Sequence, residues 1–156
     1  MPNHIVLYQP EIPSNTGNIG RTCAATDTTL HLIRPLGFST DDKMLKRAGL
    51  DYWPHIDVIY HDSVEDFFEA TEGTYYLLTK FAGQSYADMD FSSRDTEHYF
   101  IFGRETSGLP EWMREKYSDT SLRIPMNDKV RSLNLSNTAA ILIYEALKQQ
   151  DFPQLN

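Results

Sequence analysis

Three short polar segments of this sequence combine residue types that bind anions and small polar ligands. They cover residues 13–21 (PSNTGNIGR), residues 102–110 (FGRETSGLP), and residues 124–137, with IPM at the start and RSLNLSN at the end. Hydroxyl and amide side chains donate and accept hydrogen bonds, and glycines let a backbone approach a ligand closely. The segments therefore favour the binding of a polar ligand and the positioning of its reactive group.

The first segment is consistent with either an anion site or an ordinary helix start. An Asn15-Thr16-Gly17 turn precedes a predicted helix over residues 17–26, with Arg21 about one turn in. The free N–H groups of such a helix, together with a guanidinium, suit an anion such as phosphate. A capped helix with a surface arginine accounts for the same residues.

The second segment places Glu105 between two glycines, Gly103 and Gly108. Glycine at these positions would allow close contact with a ligand, and Glu105 is predicted to be an acceptor or a brace for the loop. The segment matches neither the dinucleotide fingerprint nor the phosphate loop, so neither NAD nor ATP is indicated. A plain strand-to-helix turn is the alternative.

The third segment crowds four polar side chains into six residues at the start of an apolar helix: Ser132, Asn134, Ser136 and Asn137. A helix start needs one such residue as a cap. The surplus predicts donors and acceptors for a ligand, with capping alone as the competing interpretation.

The elements that must position these segments alternate between short apolar stretches and helical patterns, which predicts an α/β fold with a mostly parallel sheet flanked by helices. Strands are predicted at residues 5–8, 30–34, 56–60, 74–79, 99–102 and 121–124, and helices at residues 17–26, 42–50, 63–70 and 135–149. Residues 82–96 have the least pattern and are predicted to be a mobile connection. Each polar segment follows a predicted strand, where open α/β sheets bind ligands.

The length of 156 residues and the 40% hydrophobic content predict a single domain over residues 1–156. A net charge of −8 argues against a protein that coats nucleic acid, so any RNA contact should be local. Cys23 is the single cysteine, which excludes an intrachain disulfide, and its small neighbours predict a core position. The first residues resemble neither a secretion signal nor a membrane anchor, so we expect a cytoplasmic protein.

Other chemistry has little support in the sequence. Asp41 and Asp42 lack a third ligand at fixed spacing and are predicted to cap a helix, so no metal is expected. The five histidines lack the spacing of a helical zinc motif and are predicted to lie on the surface or in the sheet. No Gly-x-Ser-x-Gly elbow indicates a serine hydrolase.

One helix face is basic. Lys43, Lys46 and Arg47 share that face, and Tyr52 and Trp53 follow closely. Positive charge beside aromatic rings could bind RNA through phosphate contacts and base stacking. A solvated face whose aromatic rings pack into the core is the alternative.

Taken together, the three segments resemble the signature motifs of the SPOUT-class RNA 2′-O-methyltransferases. The run at residues 5–26 (IVLYQPEIPSNTGNIGRTCAAT), with PLGF, DDK and RAGLDY after it, resembles the TrmL group, which modifies the wobble nucleotide of tRNA. The resemblance extends over residues 5–147. Two positions depart from the pattern: Gly20 stands where relatives often have a bulky aliphatic residue, and Arg104 stands where many have proline.

The resemblance implies a deep trefoil knot in the C-terminal half and a homodimer whose active site is shared between subunits. It implies methyl transfer from S-adenosyl-L-methionine (SAM) to the ribose 2′-hydroxyl of the wobble pyrimidine in leucine tRNAs, releasing S-adenosyl-L-homocysteine. The same chemistry on another RNA, and a knotted RNA-binding protein without turnover, remain the alternatives.

The resemblance also assigns residues. The SAM pocket is expected to contain Leu78, Gly103, Ile124, Ser132, Leu133 and Asn137. Arg21 is the expected central residue, stabilising negative charge at the 2′-oxygen or the adjacent phosphate. Asn15, Glu105 and Ser136 are expected to help orient it, and Lys43, Lys46 and Arg47 to contact RNA.

Overall fold

The computed structural model describes residues 2–39, 43, 47 and 52–156 of the chain. Its centre is a parallel sheet with the strand order β3-β2-β1-β5-β4-β6. The strands are β1 (Asn3–Tyr8), β2 (Thr29–Ile33), β3 (Val58–His61), β4 (Thr74–Leu78), β5 (His98–Phe102) and β6 (Ser121–Leu122). The predicted α/β fold with a mostly parallel sheet is confirmed.

Helices cover both faces of this sheet. They are α1 (Pro13–Thr26), α2 (Val64–Ala70), α3 (Glu111–Lys116) and α4 (Leu135–Gln149), with short 3-10 turns at Trp53–His55, Tyr86–Asp88 and Ser118–Thr120. The helix predicted over residues 42–50 lies almost entirely outside the described residues, within which Lys43 and Arg47 are helical and exposed. None of the helices in the described ranges is long and apolar enough to cross a membrane.

Side-chain alternation along the strands divides the core into two layers. Ile5 and Leu7 face α1 and α4, whereas Val6 faces the opposite layer with Phe67 of α2 and Met113 of α3. Because both faces are covered, the central strands read as continuous apolar runs. Cys23 belongs to the first layer and is 2% exposed, which confirms its predicted core position, and burial raises the pKa of its thiol.

One helix start differs from the prediction, and one short helix was not predicted. α1 begins at Pro13 instead of residue 17, because proline at the first helical position loses no hydrogen bond that the helix would make. α3 was not predicted, because a helix of six residues is too short to show a clear apolar period. Met113 is the buried residue of this helix.

Residues 82–96, predicted to be a mobile connection, are instead fixed against α4. The Phe91 ring is fully buried, its backbone N–H donates to Gln149 Oε1 at 2.6 Å, and its carbonyl accepts from Gln150 Nε2 at 2.9 Å. One buried aromatic ring with satisfied backbone groups anchors a segment that has no periodic pattern.

Asn3 and Gln150 join the first strand to the end of α4. Their buried side-chain amides exchange two hydrogen bonds, from Asn3 Nδ2 to Gln150 Oε1 at 2.9 Å and from Gln150 Nε2 to Asn3 Oδ1 at 3.0 Å. Both amides are thus satisfied in the interior, where an unpaired one would be costly.

Gly20 of α1 lets an aromatic ring pack against the helix. A Cβ atom at Gly20 would lie 3.1 Å from Trp53 Cζ3 and 3.0 Å from Ile56 Cδ1. The large Trp53 side chain thus occupies the space that a bulky aliphatic residue at position 20 would fill. Trp53 packs against the core, as the alternative interpretation of the basic patch predicts.

Three histidines form a hydrogen-bonded row across the sheet. His4 Nδ1 and His31 Nε2 are 2.9 Å apart, as are His31 Nδ1 and His61 Nε2. Their rings pack against Phe67 and Tyr99. The prediction of sheet histidines is correct for these three, and two neighbouring rings of the row cannot both be protonated, because each shared contact needs one donor and one acceptor.

This row predicts loss of stability in mild acid. Burial lowers the pKa of His31 to about 3, so the unfolded chain takes up a proton below its ordinary value of 6.5 while the folded chain does not. Stability is therefore present above pH 6.5 and falls as the pH drops towards 3. At about pH 4.5, two units below the unfolded value, we expect a loss of about 3 kcal/mol from this residue.

Urea unfolding as a function of pH measures this loss. His31→Gln should flatten the dependence of the free energy of unfolding on pH between 6.5 and 4.5, whereas the matched change His55→Gln, at an exposed histidine, should not. Equal slopes in the wild type and His31→Gln would contradict the prediction.

Candidate active site

A cavity of about 880 Å³ opens at the carboxyl ends of β4, β5 and β6. Its walls come from residues 78–81, residues 102–109, residues 122–124 and residues 130–135. Ile12 and Asn15 close it from the α1 side. All three polar segments thus contribute to one site, as their positions after strands predict.

Two carboxylates join the first segment to the second. Glu105 accepts hydrogen bonds from the backbone N–H groups of Glu11, at 3.1 Å, and of Ile12. Glu11 in turn accepts from the Thr106 backbone at 3.1 Å and from the Thr106 hydroxyl at 2.8 Å. These bonds from Thr106 lower the pKa of Glu11.

Their location follows from the strand order. β1 lies between β2 and β5, and β1 and β5 are parallel neighbours. The loops that follow these two strands therefore leave the same edge of the sheet side by side. Glu105 also supplies the acceptor at the start of α1, whose N-cap residue Ile12 has no side chain able to cap it. The structure therefore gives Glu105 the role of loop brace.

Gly103 permits the second loop to close on itself. Arg104 and Gly108 exchange backbone hydrogen bonds, at 3.2 Å and 3.0 Å, and Gly108 has a left-handed φ of 69°. A Cβ atom at Gly103 would lie 2.3 Å from the carbonyl carbon of Gly108 and 2.5 Å from the nitrogen of Leu109. Backbone atoms cannot yield as a side chain can, so the loop requires glycine at this position.

Asn134 links the third segment to the first. Its Oδ1 caps α4 by accepting from the Ser136 backbone N–H at 2.9 Å and also accepts from the Ser136 hydroxyl. Its Nδ2 donates to Asn15 Oδ1 at 3.2 Å. Capping thus accounts for Asn134 and Ser136. The additional hydrogen bond from Asn134 to Asn15 connects two walls of the cavity.

The cavity brings together seven of the ten residues predicted for catalysis and cofactor binding. They are Asn15, Leu78, Gly103, Glu105, Ile124, Ser132 and Leu133. Three others, Arg21, Ser136 and Asn137, do not line it.

Arg21 lies on the exposed side of α1, and its guanidinium carbon is 4.9 Å from the centroid of the Tyr52 ring. Of the predicted RNA-contacting residues, Lys43 and Arg47 are exposed, and Lys46 lies outside the described residues. Within one subunit, Arg21 is thus separate from the cavity that its predicted role requires.

Sequence reasoning missed most of the cations in the cavity wall. Lys80, Arg114, Arg123 and Arg131 line it together with Arg104, the departure from the family pattern noted above. They come from four different segments, so no local charge run signals them. No group of three or more potential metal ligands occurs within the described ranges.

Comparison with known proteins assigns the chain to a family. Residues 2–144 match the SpoU rRNA Methylase family. This is most of the chain, and the chain belongs to that family.

Three relatives make the comparison specific. A protein of Listeria monocytogenes serotype 4b (strain F2365) is 64% identical over 99% of this chain and 92% of its own length, and its provisional name is tRNA (cytidine(34)-2′-O)-methyltransferase. A solved structure described as giving insights into the 2-OH methylation of C/U34 on tRNA is 44% identical, covering 97% of this chain and 99% of that chain, with a TM-score of 0.87.

The third is the SpoU methyltransferase AviRb from Streptomyces viridochromogenes, solved with the cofactor AdoMet (SAM). It is 24% identical and covers 95% of this chain and 57% of that chain, with a TM-score of 0.78. At this identity it shows a common fold.

Proposed function

We propose that this protein transfers a methyl group from SAM to the ribose 2′-hydroxyl of nucleotide 34, a cytidine or uridine, in tRNA, and that its substrates are leucine tRNAs. The observation that carries the proposal is the convergence of the three polar segments on one cavity. Family membership and the 64% identical relative support the reaction and the nucleotide.

The cavity residues fit SAM. Leu78, Ile124 and Leu133 offer aliphatic walls for a flat adenine ring, and Gly103 lines the cavity beside them. Ser132 adds a hydroxyl at the cavity wall. When bound there, SAM supplies an electrophilic methyl group on a sulfonium, and the cavity has to hold it towards the ribose.

The task left to side chains is to orient the 2′-hydroxyl and stabilise the charge that develops on its oxygen. We assign this to Arg21, whose guanidinium stays protonated and therefore acts as a donor to the oxygen or the adjacent phosphate, not as a base. Asn15 closes the cavity on the α1 side and is a candidate to position the ribose.

The assignment of Arg21 requires a second subunit. Because Arg21 is exposed and outside the cavity of its own chain, we propose a homodimer in which it reaches the cavity of the partner. Family resemblance supports this arrangement, as it supports a C-terminal trefoil knot around the SAM pocket and a cytoplasmic location.

Methylation mapping tests the proposal. The purified protein, incubated with labelled SAM and a tRNA pool, should modify leucine tRNAs at the 2′-oxygen of nucleotide 34. Modification at another position or of ribosomal RNA would retain the chemistry and reject this substrate. SAM binding without transfer to any RNA would reject the enzyme.

A further inference from the structure

The mouth of the cavity is positive although the chain has a net charge of −8. Five cationic residues line it: Lys80, Arg104, Arg114, Arg123 and Arg131. Among the described residues that line the cavity, Glu105 is the one with a carboxylate, and this carboxylate accepts hydrogen bonds from backbone N–H groups. Positive charge is thus concentrated where a substrate must enter.

Lys80, Arg114, Arg123 and Arg131 form no ion pair with a carboxylate within the described part of the chain, whereas Arg104 interacts electrostatically with Glu11. The ion pair found there joins Arg34 to Asp62, and His4 Nε2 lies 3.4 Å from Glu97 Oε1. Arg114 additionally has a buried Nε without a hydrogen-bond partner. Cations that lack carboxylate partners attract an anionic ligand, because the ligand supplies the negative charge that the protein does not.

The Phe81 side chain lies beside two of these cations. Its ring is 64% exposed, the largest value among the exposed large apolar side chains in the described ranges. The Arg114 guanidinium carbon lies 4.2 Å from the ring centroid, and Lys80 Nζ lies 5.3 Å from it. With both cations beside it, the ring still keeps most of its surface open to solvent.

A tight turn holds Phe81 in this position. The Phe81 backbone N–H donates to Thr79 Oγ1 at 3.2 Å, and the Ala82 N–H donates to the Thr79 carbonyl at 3.3 Å. The exposed ring is therefore presented by a fixed backbone, which lowers the entropy that binding would cost.

We propose that Lys80, Phe81 and Arg114 form a docking platform for a nucleotide of the RNA substrate next to the methylated ribose. The base stacks on Phe81, and the two cations contact its phosphates. Aromatic stacking combined with cationic phosphate contacts is how proteins bind single-stranded RNA without reading its sequence. The inference rests on the proposed function and adds the surface that holds the neighbouring nucleotide.

The alternative anion in the site is the carboxylate of SAM. SAM also carries a sulfonium and an ammonium group, so its net charge is positive, and only its single carboxylate is attracted to these five cations. RNA phosphates have the opposite charge, and bases offer the ring surface that Phe81 requires. Charge therefore favours RNA at this platform.

Two affinities measured on the same variants test the platform. Phe81→Ala should weaken binding of unmodified leucine tRNA about 5- to 150-fold, the usual cost of losing one stacked base, and should raise the Kd for SAM by a much smaller factor. Phe81→Trp should retain the RNA affinity. Arg114→Gln should reduce the slope of log K against log salt by about 0.7.

Matched controls come from the same helix as Arg114. Trp112 is 44% exposed and Lys116 is exposed, and neither lines the cavity. Trp112→Ala and Lys116→Gln should therefore bind tRNA like the wild type. An equal loss in these variants, or a loss of SAM affinity in Phe81→Ala as large as its loss of tRNA affinity, would overturn the platform.

Failure of the platform and failure of the proposed function give different results. If the wild type methylates tRNA and Phe81→Ala binds tRNA as tightly, the platform is wrong and the function stands. If the wild type neither binds nor methylates tRNA, both are wrong.

Discussion

Arg21→Ala is expected to lower kcat for methyl transfer about 10²- to 10³-fold while SAM affinity and the melting temperature stay at wild-type values. The factor is that of a lost donor to a developing oxyanion. Cofactor binding should survive because Arg21 does not line the cavity, and stability should survive because the side chain is exposed. Single-turnover methylation and calorimetric titration with SAM measure the two effects separately.

The chain provides a matched arginine for this experiment. Arg34 also stacks on a tyrosine, with its guanidinium carbon 4.8 Å from the centroid of the Tyr60 ring, compared with 4.9 Å for Arg21 over Tyr52. Arg34→Ala should leave kcat unchanged. Loss of SAM binding in Arg21→Ala would show that the residue serves the cofactor, and the assignment to the ribose would be withdrawn.

Mixing two inactive variants tests whether the site is shared between subunits. In a dimer of one Arg21→Ala chain and one Gly103→Ala chain, one of the two composite sites has an intact cavity and an intact arginine. Co-expression should restore about a quarter of wild-type activity if chains pair at random. If Arg21 acted within its own subunit, no activity would return.

Gly103→Ala is expected to abolish SAM binding and to lower stability. The added Cβ would lie within 2.6 Å of three backbone atoms of Gly108 and Leu109. The loop must open, which breaks the Arg104–Gly108 hydrogen bonds and displaces Leu109 from the core. Forced overpacking of this kind costs about 1–3 kcal/mol, so thermal unfolding should show a clear decrease in melting temperature.

Gly83→Ala is the matched control, because a Cβ there has nothing within 4 Å. It should bind SAM and unfold like the wild type. Wild-type SAM affinity in Gly103→Ala would mean that the loop relaxes at little cost and that its closed form is not required for the cofactor.

The parts of the site that depend on strand ends could be predicted from the sequence. The resemblance assigns Leu78, Gly103 and Ile124 to one pocket, and the order of elements agrees. Leu78 ends β4, Gly103 and Ile124 lie just after β5 and β6, and parallel strands end at one edge of the sheet. The long helix α4 has the predicted bounds because its apolar stripe continues over four turns.

The parts that depend on contacts between distant segments could not be predicted. Glu105 remained either an acceptor or a brace until its partners, 93 and 94 positions away, were known. The grouping of the cations around the cavity and the anchoring of Phe91 also depend on contacts between distant segments. Local patterns describe a residue's own element, whereas these roles are set by an element elsewhere in the chain.

The reciprocal amide pair of Asn3 and Gln150 has a consequence for biosynthesis. The partner of a residue in the first strand is synthesised 147 positions later, and β1 also pairs with β5, whose residues begin at position 98. On the ribosome, β1 can pair with β2 early, whereas its other neighbour in the sheet, β5, and the partner of Asn3 are synthesised much later. The native contacts of β1 are therefore completed only after residues 98–150 exist, and contacts that distant in sequence slow folding and leave apolar strands exposed to aggregation for longer.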